Sequence, residues 1–517
     1  MGFTLSAAAY NLVRLPKLIA GTTDMSKVPA IAMAFADRWR IVDASLSSRL
    51  KDTTILGRRT SRGYRLKLRS HQNFDWDASI GMLWRHHLDE ETIVLQESTS
   101  NSLFAFETLE SNVRSYSRSY PVVFRKAAGA ILEDESGFEF IDFLSGAGVL
   151  NYGHNDPDLL NAARQYLELR GIIHGLDMAT SAKREFMENF DATILHPRGL
   201  AYKFQFPGPT GANAVEAALK LARKATGRQT IISFTNGFHG VSLGALAVTG
   251  NRHCRDAAGL PLAGAVFMPY DGYWGADHDT SEYLARLLAD ASSGVDLPAA
   301  IILETVQGEG GINTASKNWL QSLERLCRTN GILLIVDDIQ AGCGRTGSFF
   351  SFEFADLSPD MIVLSKSLSG CGLPLSLLLL KPEIDVWQPG EHNGTFRGNN
   401  LALVTGTAAL RKYWTSEKLS DGVAETGRIL SGRLHQVAQS SGDHNLSVRG
   451  RGMMLGLDCN TGQLAEKIVR RAFEDGLVVE RCGAEHQVIK LLPPLTIDGQ
   501  TLQRGLNILD RSVHASV

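Results

Sequence analysis

The chain has 517 residues, 44% of them hydrophobic and 21% charged, with a formal net charge of -3. That balance is the one expected of a folded, water-soluble protein, and it argues against a global field for nucleic acid or membrane. Six cysteines (Cys254, Cys327, Cys343, Cys371, Cys459 and Cys482) show no Cys-x-x-Cys spacing, which argues against a zinc site or a disulfide framework and fits a reducing, cytoplasmic compartment. No apolar run reaches the roughly 20 residues needed to span a bilayer.

Residues 1–23 contain no acid, whereas residues 24–70 are rich in arginine and include the run 57-GRRTSRGYRLKLRS-70. Such a run reads as a nucleic-acid patch, a transit-like segment or a solvated tail. We take residues 1–104 as a poorly ordered basic extension. Its opening, 1-MGFTLSAAAYNLVRLPKLIAG-21, resembles the C-terminal end of bacterial DDE-type transposases, which implies a fused remnant with no activity of its own.

From about Phe106, strand-like and helix-like segments alternate. Short apolar runs suited to buried strands are 230-TIISFT-235, 299-AAIILET-305, 331-GILLIVDD-338, 361-MIVLS-365 and 375-LSLLLLK-381. Between them, 213-NAVEAALKLARKA-225 places Val215, Ala218, Leu219 and Ala222 on one helical face, and 317-KNWLQSLERLCRTNG-331 closes on an Asn-Gly helix stop. This alternation predicts a mostly parallel sheet covered by helices, in a large domain over 161–412. Residues 105–160 and 413–517 are assigned to a smaller α+β domain, with a helix over 419–439 and short strands near Met453 and Val488.

Three features in the large domain bear on chemistry. In 203-KFQFPGPTGANAVEAALKLAR-223 a strand runs through a Gly/Pro/Thr loop into a helix. Thr210, Gly211 and Ala212 could hold an anion on backbone N–H groups at the positive end of the helix dipole, or could simply cap the helix. Asp337 and Asp338 close a strand expected to be buried on both faces, where a carboxylate needs a cation or hydrogen-bond donors. A protonated heteroaromatic nitrogen suits Asp337, and a capping role suits Asp338. In 360-DMIVLSKSLSG-370 an apolar run ends on Lys366. A lysine there either reaches solvent or supplies a hidden amine. An amine, an acid and a phosphate cradle at strand ends are together what pyridoxal phosphate requires of its site.

The ordered motifs 140-FIDFLSGAGVLNYGHNDP-157, 210-TGANAVEAALKLAR-223, 235-TNGFHG-240, 303-LETVQGEGG-311, 334-LIVDDIQAGCGRTG-347, 364-LSKSLSG-370 and 395-TFRGNN-400 resemble those of the class III pyridoxal-phosphate aminotransferases of fold type I. The resemblance covers about four-fifths of the chain. It implies that Lys366 carries the cofactor aldehyde and shuttles the proton, and that Asp337 pairs with the ring nitrogen. It places Gln340 beside the ring hydroxyl, Phe238 on the ring face with His239 in the same turn, and Thr210, Gly211 and Ala212 at the phosphate. It also implies that Thr395 reaches the phosphate of a neighbouring subunit, so that active sites are shared across a homodimer.

For substrate, Glu309 matches a gating acid, and 488-VIKLLPPL-495 offers Lys490 where related enzymes carry a carboxylate-gripping arginine. Arg449 and Arg451 are further carboxylate-binding candidates. Within the class the wording is most similar to the branch acting on diaminobutyrate, which serves ectoine and related pathways. Small amino acids and oxo acids are the expected partners, with neither nucleic acid nor a metal at the core. Ornithine, acetylornithine and 4-aminobutyrate are alternative amines, and an aminomutase would keep the cofactor but change the outcome. An inactive fusion, or a nucleic-acid binder using the basic extension, is the reading from a different class.

Overall fold

In this computed structural model the described residues are the strands Thr53–Thr60 and Gly63–Ser70 together with residues 103–517. The two early strands pair as an antiparallel hairpin, from Thr53 opposite Ser70 to Thr60 opposite Gly63. The basic run lies on this hairpin. The rest of the extension, with its transposase-like opening and the poor order expected of it, lies outside the described residues.

A seven-stranded sheet organises residues 203–380. Its strands are β1 (Lys203–Gln205), β2 (Ile231–Phe234), β3 (Ala265–Met268), β4 (Ala300–Leu303), β5 (Leu333–Asp337), β6 (Met361–Leu364) and β7 (Leu377–Leu380). They lie side by side in the order β1-β7-β6-β5-β4-β2-β3. Strands β2 to β6 run parallel, whereas β7 is antiparallel to both β6 and β1. The reversal has a local cause: β7 follows β6 after only a short link containing Gly370, Gly372 and Pro374. Within residues 365–376 only the short turn Lys366–Ser369 is helical, so no crossover helix carries the chain over the sheet and β7 returns beside β6.

Both faces of the sheet are covered, which is why its strands read as unbroken apolar runs. Side chains alternate along each strand. Ile231, Ile302, Ile335, Val363 and Leu378 face helix α1 (Gly211–Thr226), which presents Ala214, Val215, Ala218, Leu221 and Ala222. Alanines on that face let the helix lie close to the sheet. The intervening residues, among them Ile232, Leu334, Val336, Ile362 and Leu379, meet Trp319, Leu320, Leu323 and Cys327 of helix α2 (Lys317–Asn330). Truncating one of these, for instance Leu323→Ala, costs about 2–5 kcal/mol.

Two further sheets surround the central one. Residues 124–142 contribute three antiparallel strands, the last of which pairs in parallel with Leu477–Val478. Ser447–Arg451, Met454–Asp458, Val488–Leu491 and Glu480–Cys482 form an antiparallel sheet. No helix among the described residues is long and apolar enough to cross a membrane.

Candidate active site

The carboxyl ends of β2, β4, β5 and β6 converge, as ligand-binding edges of parallel sheets do. They deliver Phe238 and His239, Glu304, Asp337 and Lys366 respectively. Strands β5 and β6 are in register with Asp337 opposite Val363, three residues before Lys366.

Lys366 opens a short turn after β6 with φ of +50°, a left-handed conformation uncommon for a side-chain-bearing residue. Its Nζ donates to the Ala147 carbonyl at 2.7 Å. Burial holds the amine below the ordinary lysine range, and the charge of Glu309 only partly offsets this. Gln340 Nε2 donates to the same carbonyl at 2.9 Å and to Glu309 Oε1 at 3.3 Å. The Ala147 carbonyl belongs to Ser145–Gly148, four successive residues with positive φ.

Asp337 is buried at the end of β5, with Oδ2 2.7 Å from His239 Nδ1 and Oδ1 accepting from the Ile339 N–H at 3.2 Å. Burial disfavours the imidazolium, but the hydrogen bond and charge of Asp337 outweigh it, so His239 is shifted upward. Glu304 accepts the backbone N–H groups of Phe238 and Gly308, and burial pushes its carboxyl up to about 7. Asp338 is fully buried and accepts from the Ser351 N–H rather than from the turn that follows it; burial raises it to about 7.

The start of α1 closes on this group. A Cβ on Gly211 would meet Ile339 Cδ1 at 2.6 Å, and one on Gly240 would meet Ala212 Cβ at 2.8 Å. Thr210 is the N-cap, its hydroxyl 2.9 Å from Asn213 Oδ1. The anion-cradle and capping readings of Thr210 are compatible, since the Asn213 N–H donates to the Thr210 carbonyl at 3.0 Å while the N–H groups of Gly211 and Ala212, in the first turn, have no i−4 acceptor within the helix.

Glu309 stands in the turn between the paired segments Val306–Gln307 and Asn313–Thr314. Its Oε1 lies 2.6 Å from Lys490 Nζ, and the charges of Lys490 and Lys366 override burial to hold the carboxyl down at about 2. Lys490 is fully buried and also lies 3.0 Å from Glu480 Oε1. Arg449 is committed elsewhere, to Asp458, Asn313 Oδ1 and the Gly311 carbonyl. Arg451 bonds Thr305 and the Ser351 carbonyl and covers the Phe354 ring at 3.6 Å. Neither arginine has a hydrogen bond to Lys366, Asp337 or Lys490. Thr395 is exposed, and its carbonyl receives His174 Nε2 at 2.7 Å.

Sequence reasoning missed the Ala147 carbonyl, Glu304 and Glu480. The signals were the Ser-Gly-Ala-Gly stretch, the acid directly after β4, and the lone acid in 477-LVVERC-482.

The residues present fit pyridoxal phosphate. Lys366 offers an amine whose burial disfavours the ammonium form, Asp337 a carboxylate for a ring cation, and Gln340 Oε1 is buried without a hydrogen-bond partner. Gly211 and Gly240 let the α1 terminus pack closely against Ile339 and the turn that carries His239, and a helix N-terminus is where a phosphate finds N–H donors.

Residues 113–513 match the family model for class III aminotransferases. The chain is 79% identical to an uncharacterised aminotransferase, y4qG, of Sinorhizobium fredii, over 82% of this chain and 95% of the relative. It is 57% identical to the diaminobutyrate–2-oxoglutarate transaminase of Bordetella parapertussis, over 79% and 94%. The solved ornithine aminotransferase of Toxoplasma gondii, described with pyridoxal phosphate at partial occupancy in its active site, superposes with a TM-score of 0.69 at 26% identity, covering 80% of this chain and 93% of that one. With the lysine, the acid and the helix terminus brought to one sheet edge and the family signature running through almost all of the described fold, the chain belongs to the class III aminotransferases, which work with pyridoxal phosphate.

Proposed function

We propose that this transaminase moves an amino group between L-glutamate and L-2,4-diaminobutyrate, with 2-oxoglutarate and L-aspartate 4-semialdehyde as the matching oxo compounds. The observation that carries the substrate choice is Glu309. It is an ionised acid beside Lys366 that can receive the second ammonium of a diamino acid. The Bordetella relative, named for that reaction, supports the same choice.

Bound pyridoxal phosphate supplies an aldehyde carbon that exchanges amines and a ring that accepts electrons when the substrate Cα–H bond breaks. In this reading Lys366 holds the aldehyde carbon. Once a substrate amine displaced it, the freed Nζ would take the proton from the substrate Cα and deliver it to the carbon that had been the cofactor's aldehyde. A depressed amine suits both tasks, because only the neutral form attacks or accepts a proton. Asp337, backed by His239, keeps the ring nitrogen protonated. Gln340, with its unpartnered Oε1, would hold the ring hydroxyl, the half-buried Phe238 would cover the ring face, and Gly211 and Ala212 would hold the phosphate.

We also propose a homodimer with shared sites. Thr395 and the exposed Phe396 lie beside Ile172, Ile173 and Met178, which are exposed apolar residues in the single chain. The Asn400 N–H donates to the Ile173 carbonyl, which ties the two segments into one face. A 56.3 kDa monomer that is fully active would overturn this part.

The substrate reading is tested with purified protein, added cofactor and 2-oxoglutarate, following glutamate formed from diaminobutyrate, ornithine or 4-aminobutyrate. Turnover of diaminobutyrate above the other amines is expected. Turnover of ornithine with none of diaminobutyrate rejects it.

A further inference from the structure

Glu304, buried just past the end of β4, holds two turns at once. Its Oε2 accepts the Phe238 N–H at 2.9 Å and its Oε1 accepts the Gly308 N–H at 3.2 Å. The first turn, 235-TNGFHG-240, presents Phe238 and His239. The second places Gly308 against Gln340 and carries Glu309 as the next residue. The two turns also touch directly. Gln307 Nε2 donates to the Thr235 carbonyl at 2.8 Å, and a Cβ on Gly310 would meet the Asn236 carbonyl oxygen at 2.2 Å. Of these contacts only Glu304 reaches Phe238 itself. Hydrogen bonds to an ionised acceptor are about twice as strong as neutral ones.

We infer that Glu304 is a positioning residue for the cofactor, its carboxylate clamping the turn that carries Phe238 to the turn beside Gln340 and so fixing one wall of the ring site against the other. The clamp needs an ionised acid, because a protonated carboxyl turns one oxygen into a donor facing an N–H. Burial pushes the Glu304 carboxyl up to about 7, with the charge of His239 lowering it and that of Asp337 raising it. Among the described residues those two face it together with Tyr270, whose Oη donates to the Glu304 carbonyl at 2.6 Å. The clamp is therefore complete above neutral pH and weakened below it.

This inference rests on Phe238 covering the ring, and it holds whichever amine is transferred. Cofactor-free wild type, Glu304→Gln and Phe238→Ala are titrated with pyridoxal phosphate at about pH 6 and about pH 8. The Gln amide replaces one acceptor by a donor, which is the state of the protonated acid. Wild type should bind about tenfold more tightly than Glu304→Gln at the higher pH, and less than about threefold more tightly at the lower one. A ratio equal at both pH values overturns the inference, since a mere brace for the fold gives that result. Phe238→Ala with unchanged affinity defeats the ring-covering reading and the inference with it. Weakened binding by Phe238→Ala beside an unmoved Glu304→Gln defeats the clamp alone. Should Glu304→Gln fail to fold, hydrogen exchange of cofactor-free wild type serves, read by mass spectrometry and corrected for intrinsic rates. Residues 235–240 and 306–311 should be better protected at the higher pH while α2 is unchanged, and equal protection of those turns at both pH values overturns the inference.

Discussion

His239 Nδ1 lies 2.7 Å from Asp337 Oδ2, with both side chains buried at the carboxyl edge of the sheet. Asp337 thus has behind it an imidazole whose protonated form it favours, and the pair is screened from water. A buried carboxylate stripped of such a partner is expensive.

His239→Asn therefore weakens the protein, and the weakening depends on pH. The folded value of His239 is raised above its ordinary 6.5. A raised histidine contributes stability that is fully present below the unfolded value and is lost as pH rises through the folded one. The melting-temperature gap between wild type and variant should therefore shrink as pH is raised above the ordinary histidine value of 6.5. A constant gap would show that His239 is neutral in the fold.

Lys366 trades stability for chemistry. Its amine is buried, disfavoured as an ammonium, and carried on a left-handed backbone. Lys366→Met should lower kcat by at least about 10²–10⁴-fold through the lost proton transfer. It should also stabilise the cofactor-free protein by about 0.5–2 kcal/mol. Denaturant melts of cofactor-free protein check this, and a destabilised variant contradicts it.

The readable parts of this site were those with a one-dimensional signature. β5 and β6 stood out because each is a short apolar run ended by charged or turn residues. Asp337 and Lys366 were visible as the polar residues that stop those runs. β3 was not singled out, since Ala265–Met268 is four residues at the edge of the sheet, after a Gly/Pro-rich stretch. The Ala147 carbonyl carries no residue-type signal at all. Glu480 could be noticed as an acid among apolar neighbours, but its meaning arises only when register sets it opposite Lys490.

Gly308 governs Gln340. A Cβ at Gly308 would fall 1.6 Å from Gln340 Oε1. The obstacle is the far end of a flexible side chain, so Gly308→Ala should leave the melting temperature nearly unchanged. Gln340 must then swing away from Ala147 and Glu309, and cofactor affinity should fall by about tenfold, the equivalent of one lost hydrogen bond. Titration of cofactor-free protein with pyridoxal phosphate measures it, and unchanged affinity would remove Gln340 from the cofactor site.

Arg345 ties the segment after β5 to three distant parts of the chain. It is fully buried, bonding Asn151 Oδ1 through Nε and Nη2 and the carbonyls of Met453 and Pro493 through Nη1. Burial lowers its guanidinium to about 9, with the charge of Asp142 working the other way. Asn151 in turn donates its backbone N–H to Ser367 Oγ, next to Lys366. Arg345→Lys keeps a charge but replaces a planar fork with a point donor that cannot span three acceptors. Loss of one or two charge-assisted bonds should cost about 2–4 kcal/mol, seen as a lower urea midpoint at unchanged m. Because the loosened Asn151 no longer steadies the Ser367 turn, cofactor affinity should fall in step with stability. A variant that loses stability while binding the cofactor as tightly as wild type would show that Arg345 braces the fold without positioning Lys366.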